Sequence, residues 1–242
     1  MANKVIHRAT TRGGADHGWL KAKHSFSFAN YYDPQRIHFG VLRVLNDDTV
    51  APGMGFGRHP HDNMEIITIP LEGAIEHKDS MGNHGIIKYG DVQVMSAGSG
   101  IQHSEYNASQ SEQLKLFQIW LFPNKKNVQP RYDQVTLDVN DRRNKLQEIL
   151  SPKNDDGKLW IHQDAWFSMA KLDKGFQVDY SVKKSGNGVY LMVVKGEVTV
   201  DGEKLSERDA IGLSELDKVN IKADTQDAEI LVMDIPMVFS AN

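Results

Sequence analysis

Cysteine is absent from the 242-residue sequence. Its absence excludes disulfide bonds, metal sites with sulfur ligands, iron–sulfur clusters and thiolate catalysis. The sequence also lacks an excess of positive charge, because 28 basic side chains stand against 32 acidic ones and give a net charge of −4. Direct binding of nucleic acid depends on such an excess. We therefore expect no direct nucleic-acid partner.

Long hydrophobic runs are also missing. The apolar stretches, such as residues 230–233, are far shorter than the ~20 residues that a membrane-spanning helix needs. Residues 1–14 are polar and lack the apolar stretch of a signal peptide. Hydrophobic residues make up 40% and charged residues 25% of the chain, as is usual for a globular protein. We expect a soluble protein of the cytoplasm with no membrane partner.

Short segments rich in β-branched and aromatic residues follow one another along the chain, and turn-forming residues separate them. The predicted strands cover residues 39–45, 64–71, 74–78, 92–95, 114–122, 158–162, 177–183, 190–194, 197–200 and 229–235. Short strands at this spacing favour an all-β barrel or sandwich. Residues 138–150 form the one candidate helix, and their helical pattern is weak.

The chain contains a faint internal repeat. A strand, a glycine turn, a second strand and an aspartate occur in that order around Gly73 and Asp91, and again around Gly196 and Asp209. We therefore predict two β-barrel domains of similar plan, covering residues 1–130 and 131–242, with the connection near residues 124–140. One large β-sandwich with chance similarity between its hairpins is the alternative.

The candidate chemistry lies in two pairs of residues. His59 and His61 are two positions apart, and so are His103 and Glu105. Residues i and i+2 of a β-strand point to the same face of the sheet. If the two strands lie close together inside a barrel, these four side chains converge on one point. Three imidazoles and one carboxylate suit a first-row divalent metal ion and leave coordination positions open for a substrate.

An isolated His-x-His pair is weak evidence, because histidines are also common on half-exposed strands that bind nothing. We expect His77 and His84, which flank a turn, to be solvated, and His162 to be structural. No paired ligand accompanies the remaining histidines, which are His7, His17, His24 and His38. The clustered aromatic residues are expected in the core rather than in a pocket wall. They are Phe26, Phe28, Tyr31 and Tyr32.

These motifs resemble those of the cupins. The first cupin motif is matched by Gly53, His59-Pro60-His61, Glu65 and Gly73, and the end of the second by Gly100, His103 and Asn107. More specifically, the chain resembles the pirin family at residues 17–20, 26–34, 56–61, 71–73, 77–83, 96–101, 103–107 and 151–152. The resemblance implies a bicupin, which has two jelly-roll cupin barrels in one chain. It also implies that His59, His61, His103 and Glu105 bind one metal ion, usually iron, in the N-terminal barrel.

The second barrel departs from the cupin pattern. Alignment of Gly196 with Gly73 places Val182 and Lys184 where His59 and His61 stand, and alignment of Asp209 with Asp91 places Ile221 and Ala223 where His103 and Glu105 stand. None of these side chains binds a first-row metal ion. We therefore predict one ion per chain and a C-terminal domain without metal ligands.

The resemblance implies an enzyme of the quercetin 2,3-dioxygenase type. We expect one divalent ion, Fe(II) before other first-row metals, and a flavonol-like aromatic substrate that reacts with O2. Glu105 is the candidate catalytic base. We prefer it to Glu65 as the carboxylate ligand, because Glu65 is four residues beyond His61 and starts roughly 13 Å from it on an unbroken strand.

Two alternatives to this enzyme remain open. In the first, the protein is a non-catalytic, metal-dependent regulator that acts through a protein partner, as the resemblance to eukaryotic pirins that bind transcription factors implies. In the second, the protein binds a metal ion but catalyses no reaction.

Overall fold

The structure is a computed structural model that describes residues 3–153 and 158–239. Turns divide these residues into short strands, and no α-helix occurs in either described segment. The strands of the first half are β1 (Asn3–His7), β2 (Gly13–Asp16), β3 (Leu20–His24), β4 (Leu42–Val50), β5 (Gly55–His61), β6 (Glu65–Glu72), β7 (Ala74–Asp79), β8 (His84–Lys88), β9 (Asp91–Ser96), β10 (Ile101–Asn107), β11 (Leu114–Leu121) and β12 (Arg131–Thr136).

The second half repeats the plan. Its strands are β13 (Gln147–Leu150), β14 (Trp166–Leu172), β15 (Gln177–Ser181), β16 (Asn187–Lys195), β17 (Val198–Val200), β18 (Glu203–Leu205), β19 (Ala210–Ser214), β20 (Lys218–Ala223) and β21 (Ala228–Pro236). The predicted repeat is visible in the turns. Gly73 and Gly196 both adopt a φ of 77°, and Asp91 and Asp209 each accept a hydrogen bond from the backbone N–H three residues earlier.

Each half forms a barrel from one large and one small antiparallel sheet. In the first barrel, a seven-stranded sheet of order β12-β9-β6-β11-β4-β3-β2 faces a four-stranded sheet of order β5-β10-β7-β8. In the second, a six-stranded sheet of order β1-β19-β16-β21-β14-β13 faces a four-stranded sheet of order β15-β20-β17-β18. The predicted two-barrel fold is confirmed, and a single sandwich is wrong.

Two strands do not follow the predicted division at residue 130. β1 opens the chain but pairs with β19 in the second barrel, and β12 pairs with β9 in the first. The predicted boundary itself stays a prediction. A shared hydrophobic core joins the barrels. Within this core, the ring centroids of Phe26 and Tyr190 are 5.5 Å apart. The Nδ1 atom of His7, carried by β1, lies 2.8 Å from the buried Tyr190 hydroxyl.

Two segments differ from the sequence-based expectations. Within residues 138–150, the one candidate helix, the structure has a short 3₁₀ turn at Val139–Arg142 and no α-helix. Asp138 caps that turn by accepting a hydrogen bond from the N–H of Asn140, and the positive φ of Asn144 ends any helical course before β13 begins. Residues 158–162 form no strand either. They contribute an isolated bridge between Trp160 and Ser151.

Within the described segments, no helix is long and apolar enough to cross a membrane. The cytoplasmic location stays a prediction.

Candidate metal centre

The first two candidate ligands lie on β5, an edge strand of the small sheet of the first barrel. His59 and His61 are half-buried, whereas Pro60 between them is exposed, so both imidazoles point to the barrel interior. β10 pairs with β5 and places His103 directly opposite His59. The burial of β10 alternates with a period of two, and its inward positions include His103 and Glu105. The predicted facing of both pairs is therefore confirmed.

Three imidazoles converge at this point. The ring centroids of His59 and His103 are 4.4 Å apart, those of His59 and His61 are 4.9 Å apart, and those of His61 and His103 are 5.0 Å apart. One ring nitrogen from each residue lies within 4.8 Å of the other two. Nitrogen ligands about 2.0–2.1 Å from one ion are at most ~4.2 Å apart, so small side-chain shifts would let all three nitrogens reach one ion.

The bonding of these nitrogens fits a metal ion. The Nδ1 atom of His59 lies 2.7 Å from the carbonyl oxygen of Gly57, to which it donates, so Nε2 keeps its lone pair. The Nε2 atom of His61 and both ring nitrogens of His103 are buried with no hydrogen-bond partner in the described chain. Unpaired buried nitrogens are costly, and a shared metal ion would satisfy them.

The electrostatics of the cluster keep the imidazoles of His61 and His103 neutral. Burial, reinforced by the neighbouring His59, lowers the pKa of His61 to about 4. Burial, with His59, His61 and His77 nearby, lowers the pKa of His103 to about 2. Both rings therefore carry free lone pairs at neutral pH, as metal ligation requires.

Glu105 lies beside this cluster. It belongs to a second, overlapping group in which ligand atoms of His77, His103 and Glu105 lie within 4.8 Å of one another. Its carboxylate accepts a hydrogen bond from the Gln118 side-chain amide at 3.2 Å and lies 3.4 Å from the Thr68 hydroxyl. Burial raises the pKa of Glu105 to about 7, and these two contacts only partly oppose that rise.

Glu65 occupies a different place. It is buried at the start of β6, where its carboxylate accepts a 2.7 Å hydrogen bond from the Ser96 hydroxyl. Burial raises the pKa of Glu65 to about 7. Among the described residues, it belongs to neither group of potential metal ligands.

His77 is the residue that the sequence reasoning misplaced. It is fully buried rather than solvated, and it lies opposite Glu105 in the pairing of β7 with β10. Its ring stacks on Tyr132 at 4.7 Å, and its Nε2 atom lies 3.3 Å from a carboxylate oxygen of Asp79. The period-two pattern of β7, in which His77 follows the apolar Ile75 on the same face, is the signal that could have found it.

A cavity of about 360 Å³ opens onto the cluster. His59, His61 and Glu105 contribute to its wall. The rest of the wall is mostly apolar and includes Phe28, Phe56, Leu116 and Trp120. The Trp120 ring stands edge-on to His61 at 4.8 Å and to Phe28 at 5.5 Å. Of the aromatic residues predicted for the core, Phe26 is buried there, whereas Phe28 lines this cavity and Tyr32 is exposed.

The sequence was compared with family models and with known proteins. The sequence model of the Pirin family matches residues 5–121, and a model described as the quercetinase C-terminal cupin domain matches residues 148–235. A quercetin 2,3-dioxygenase of Escherichia coli K12 is 45% identical over 233 residues, which are 96% of this chain and 99% of the relative. The chain belongs to the pirin family.

Other pirin relatives agree over nearly the whole chain. A pirin-like protein of Caulobacter vibrioides is 46% identical over 223 residues, covering 92% of this chain and 95% of the relative. The crystal structure of the bacterial pirin YhhW from Escherichia coli in complex with nickel(II) matches with a TM-score of 0.92 at 44% identity, covering 98% of this chain and 100% of that one. The expected bicupin fold is confirmed.

The second cupin domain of this pirin has an apolar interior where the first has its histidines. Ile221 and Ala223 are fully buried on β20 in a hydrophobic cluster, Val182 packs against that cluster, and Lys184 pairs with Asp164 outside it. Both groups of potential metal ligands found in the described chain lie in the first domain. The absence of metal ligands from the second domain stays a prediction.

Proposed function

We propose that this pirin is a metal-dependent dioxygenase that opens flavonols of the quercetin type with O2. We propose further that His59, His61, His103 and Glu105 bind its single divalent ion. The observation that carries the proposal is the convergence of three imidazoles, two of which, those of His59 and His61, line an apolar cavity. The names of the relatives, several of which are quercetin 2,3-dioxygenases or putative ones, support the same chemistry.

The cavity suits a planar aromatic substrate. Its apolar side chains come from several strands and surround the approach to the histidines, so a flat ring system can bury its faces while its polar edge meets the cluster. Trp120 and Phe28 offer edge and face contacts to such a ring. A cavity of about 360 Å³ is within the usual range for small-molecule sites.

The bound ion and the side chains of the protein would have different roles in the reaction. A bound divalent ion supplies Lewis acidity, which lowers the pKa of a hydroxyl that coordinates to it. Glu105 faces the same cavity, and its carboxylate accepts the proton that the substrate hydroxyl loses. Gln118 and Thr68 hold the carboxylate in place through their side chains. The apolar wall excludes water from the ionised substrate.

Fe(II) is the metal that we propose for the working enzyme. Histidine and carboxylate ligands accept the whole first-row series, so activity has to be compared across metals. Metal analysis of protein purified without a tag would test the identity of the bound metal. Iron as a minor component beside another bound metal would contradict the proposal of Fe(II).

Oxygen uptake tests the function. Metal-free protein is loaded separately with Fe(II), Mn(II), Co(II), Ni(II) and Zn(II), and O2 uptake is followed with quercetin and a panel of flavonols. We expect uptake with at least one metal and its loss in His103→Ala. His84→Ala is the matched control, because His84 is exposed and pairs with Glu76 outside the cluster. Full metal binding without uptake on any flavonol would contradict the proposal and favour the regulatory alternative.

A further inference from the structure

Asp48 is a buried carboxylic acid in an apolar setting. It lies on β4 between Ala22 of β3 and Leu116 of β11, which are its direct cross-strand neighbours. Only 5% of its surface is exposed. It lines the same cavity as His59, His61 and Glu105, yet it belongs to neither group of potential metal ligands in the described chain.

One oxygen of the Asp48 carboxyl group has no partner within the described protein. Its Oδ1 atom is buried without a hydrogen bond, and it forms no ion pair with a described residue. Asp47, the preceding residue, points to the other face of the sheet and pairs with Arg12 and Arg208, each at 3.1 Å. A buried, unpaired carboxyl destabilises a fold, and sites that retain such groups are commonly functional.

The environment also favours the neutral acid. Burial, together with the carboxylates of Asp47 and Glu105, raises the pKa of Asp48 to about 8. A neutral carboxyl can donate one hydrogen bond and accept another. A phenolic hydroxyl offers the complementary donor and acceptor.

We propose that Asp48 is a specificity-determining residue that hydrogen-bonds a hydroxyl of the aromatic substrate other than the one that binds the metal. The inference rests on the proposed function, since it assumes an aromatic ligand in this cavity. It narrows the substrate class to polyhydroxylated aromatics. A flavonol with the metal-binding oxygens alone would leave Asp48 unpaired.

Binding measured without turnover tests the proposal. The probes are quercetin and 3-hydroxyflavone, which keeps the 3-hydroxyl and 4-keto oxygens but lacks the other hydroxyls. Their dissociation constants are measured anaerobically on nickel-loaded wild type, Asp48→Leu and Asp48→Asn. Leucine has a similar shape without polar atoms, whereas asparagine keeps the ability to hydrogen-bond.

We expect Asp48→Leu to weaken quercetin binding by about tenfold or more and to leave 3-hydroxyflavone binding within about threefold, as a lost hydrogen bond to one ligand alone would. Asp48→Asn should lie between wild type and Asp48→Leu. Because an unpaired buried acid is removed, the melting temperature of Asp48→Leu should equal or exceed that of wild type. A merely structural role would lower it.

Unchanged quercetin affinity in Asp48→Leu, or an equal loss for both ligands, would overturn the role of Asp48 and leave the proposed function standing. Failure of the wild type to bind either flavonol would instead overturn the proposed function and this inference with it. If Asp48→Leu does not fold, Asp48→Ala takes its place, and an affinity ratio between the two ligands identical to that of wild type would contradict the proposal.

Discussion

His77 and Glu105 lie directly opposite each other on paired strands, and both are buried. Their potential ligand atoms are within 4.8 Å of each other and of His103. His77 thereby joins the wall of the metal centre from β7, a strand that contributes none of the predicted ligands. Tyr132 stacks on one face of its ring, and Asp79 lies beside Nε2, so the imidazole is fixed. We infer that His77 positions Glu105 rather than binding the ion.

Replacement of His77 by Gln tests this role. The expected result is one metal ion per chain, as in wild type, with metal affinity or turnover reduced about 10–100-fold, because outer partners of metal ligands have effects of this size. Metal content by mass spectrometry and turnover by oxygen uptake provide the readouts. His84→Gln is the control, and loss of the ion from His77→Gln would show that His77 is itself a ligand.

Glu105 and Glu65 are expected to behave differently. Glu105→Ala should abolish turnover and weaken metal binding strongly, because Glu105 faces the cavity beside His103. Glu65→Ala should leave the ion bound with milder effects, because the Glu65 carboxylate bonds to Ser96 away from the cluster. Calorimetric titration of both variants with metal compares their metal affinities. Retained metal in Glu105→Ala and lost metal in Glu65→Ala would reverse the assignment.

The metal content should be one ion per chain. Convergent histidines occur in the first barrel, whereas the corresponding interior of the second is filled by residues such as Ile221 and Ala223. His59→Ala, His61→Ala and His103→Ala should each lose most of the bound metal. A second ion at full occupancy that persists in all three variants would show that another site exists.

The stability of the metal-free protein should be highest in weakly acidic solution. Burial raises the pKa of Glu105 from 4.5 to about 7, so the stability that its neutral form provides is present below 4.5 and is lost as the pH rises through 7. That loss is on the order of 3 kcal/mol. The pKa of His61 falls from 6.5 to about 4, so its contribution is present above 6.5 and is lost as the pH falls through 4. Metal should reverse the alkaline loss, because ligation requires a charged Glu105 and neutral imidazoles.

Thermal unfolding with and without chelator tests this pH dependence. The metal-induced rise in melting temperature should grow between about pH 5.5 and pH 8, and the chelated protein should remain folded, since both barrels have large hydrophobic cores. A metal effect that shrinks over this range would contradict the assignment of Glu105. Cooperative unfolding on chelation alone would indicate a structural ion.

Local patterns made much of the fold predictable. The turn glycines Gly73 and Gly196 and the alternating strands next to them are short-range signals, and so is the same-face spacing of His59 with His61. The two barrels and the three converging histidines could therefore be predicted from the sequence on one assumption. That assumption was that β5 and β10 pair, and the opposed positions of His59 and His103 confirm it.

Long-range pairing explains what the sequence did not show. The place of His77 depends on the register between β7 and β10, and strand register is set by contacts distant in sequence. The crossing of β1 to the second barrel has the same cause. Asp48 was overlooked because the predicted strand ended at residue 45, whereas β4 continues to Val50 and turns Asp48 inward.

Isotope labelling during turnover tests the central claim most directly. Metal-loaded protein is supplied with quercetin under ¹⁸O2, and the ring-opened product is analysed by mass spectrometry alongside O2 uptake. The proposed dioxygenase predicts that both atoms of one labelled O2 enter each product molecule, and that His103→Ala forms none. Product carrying no label, or equal product from His103→Ala, would contradict it.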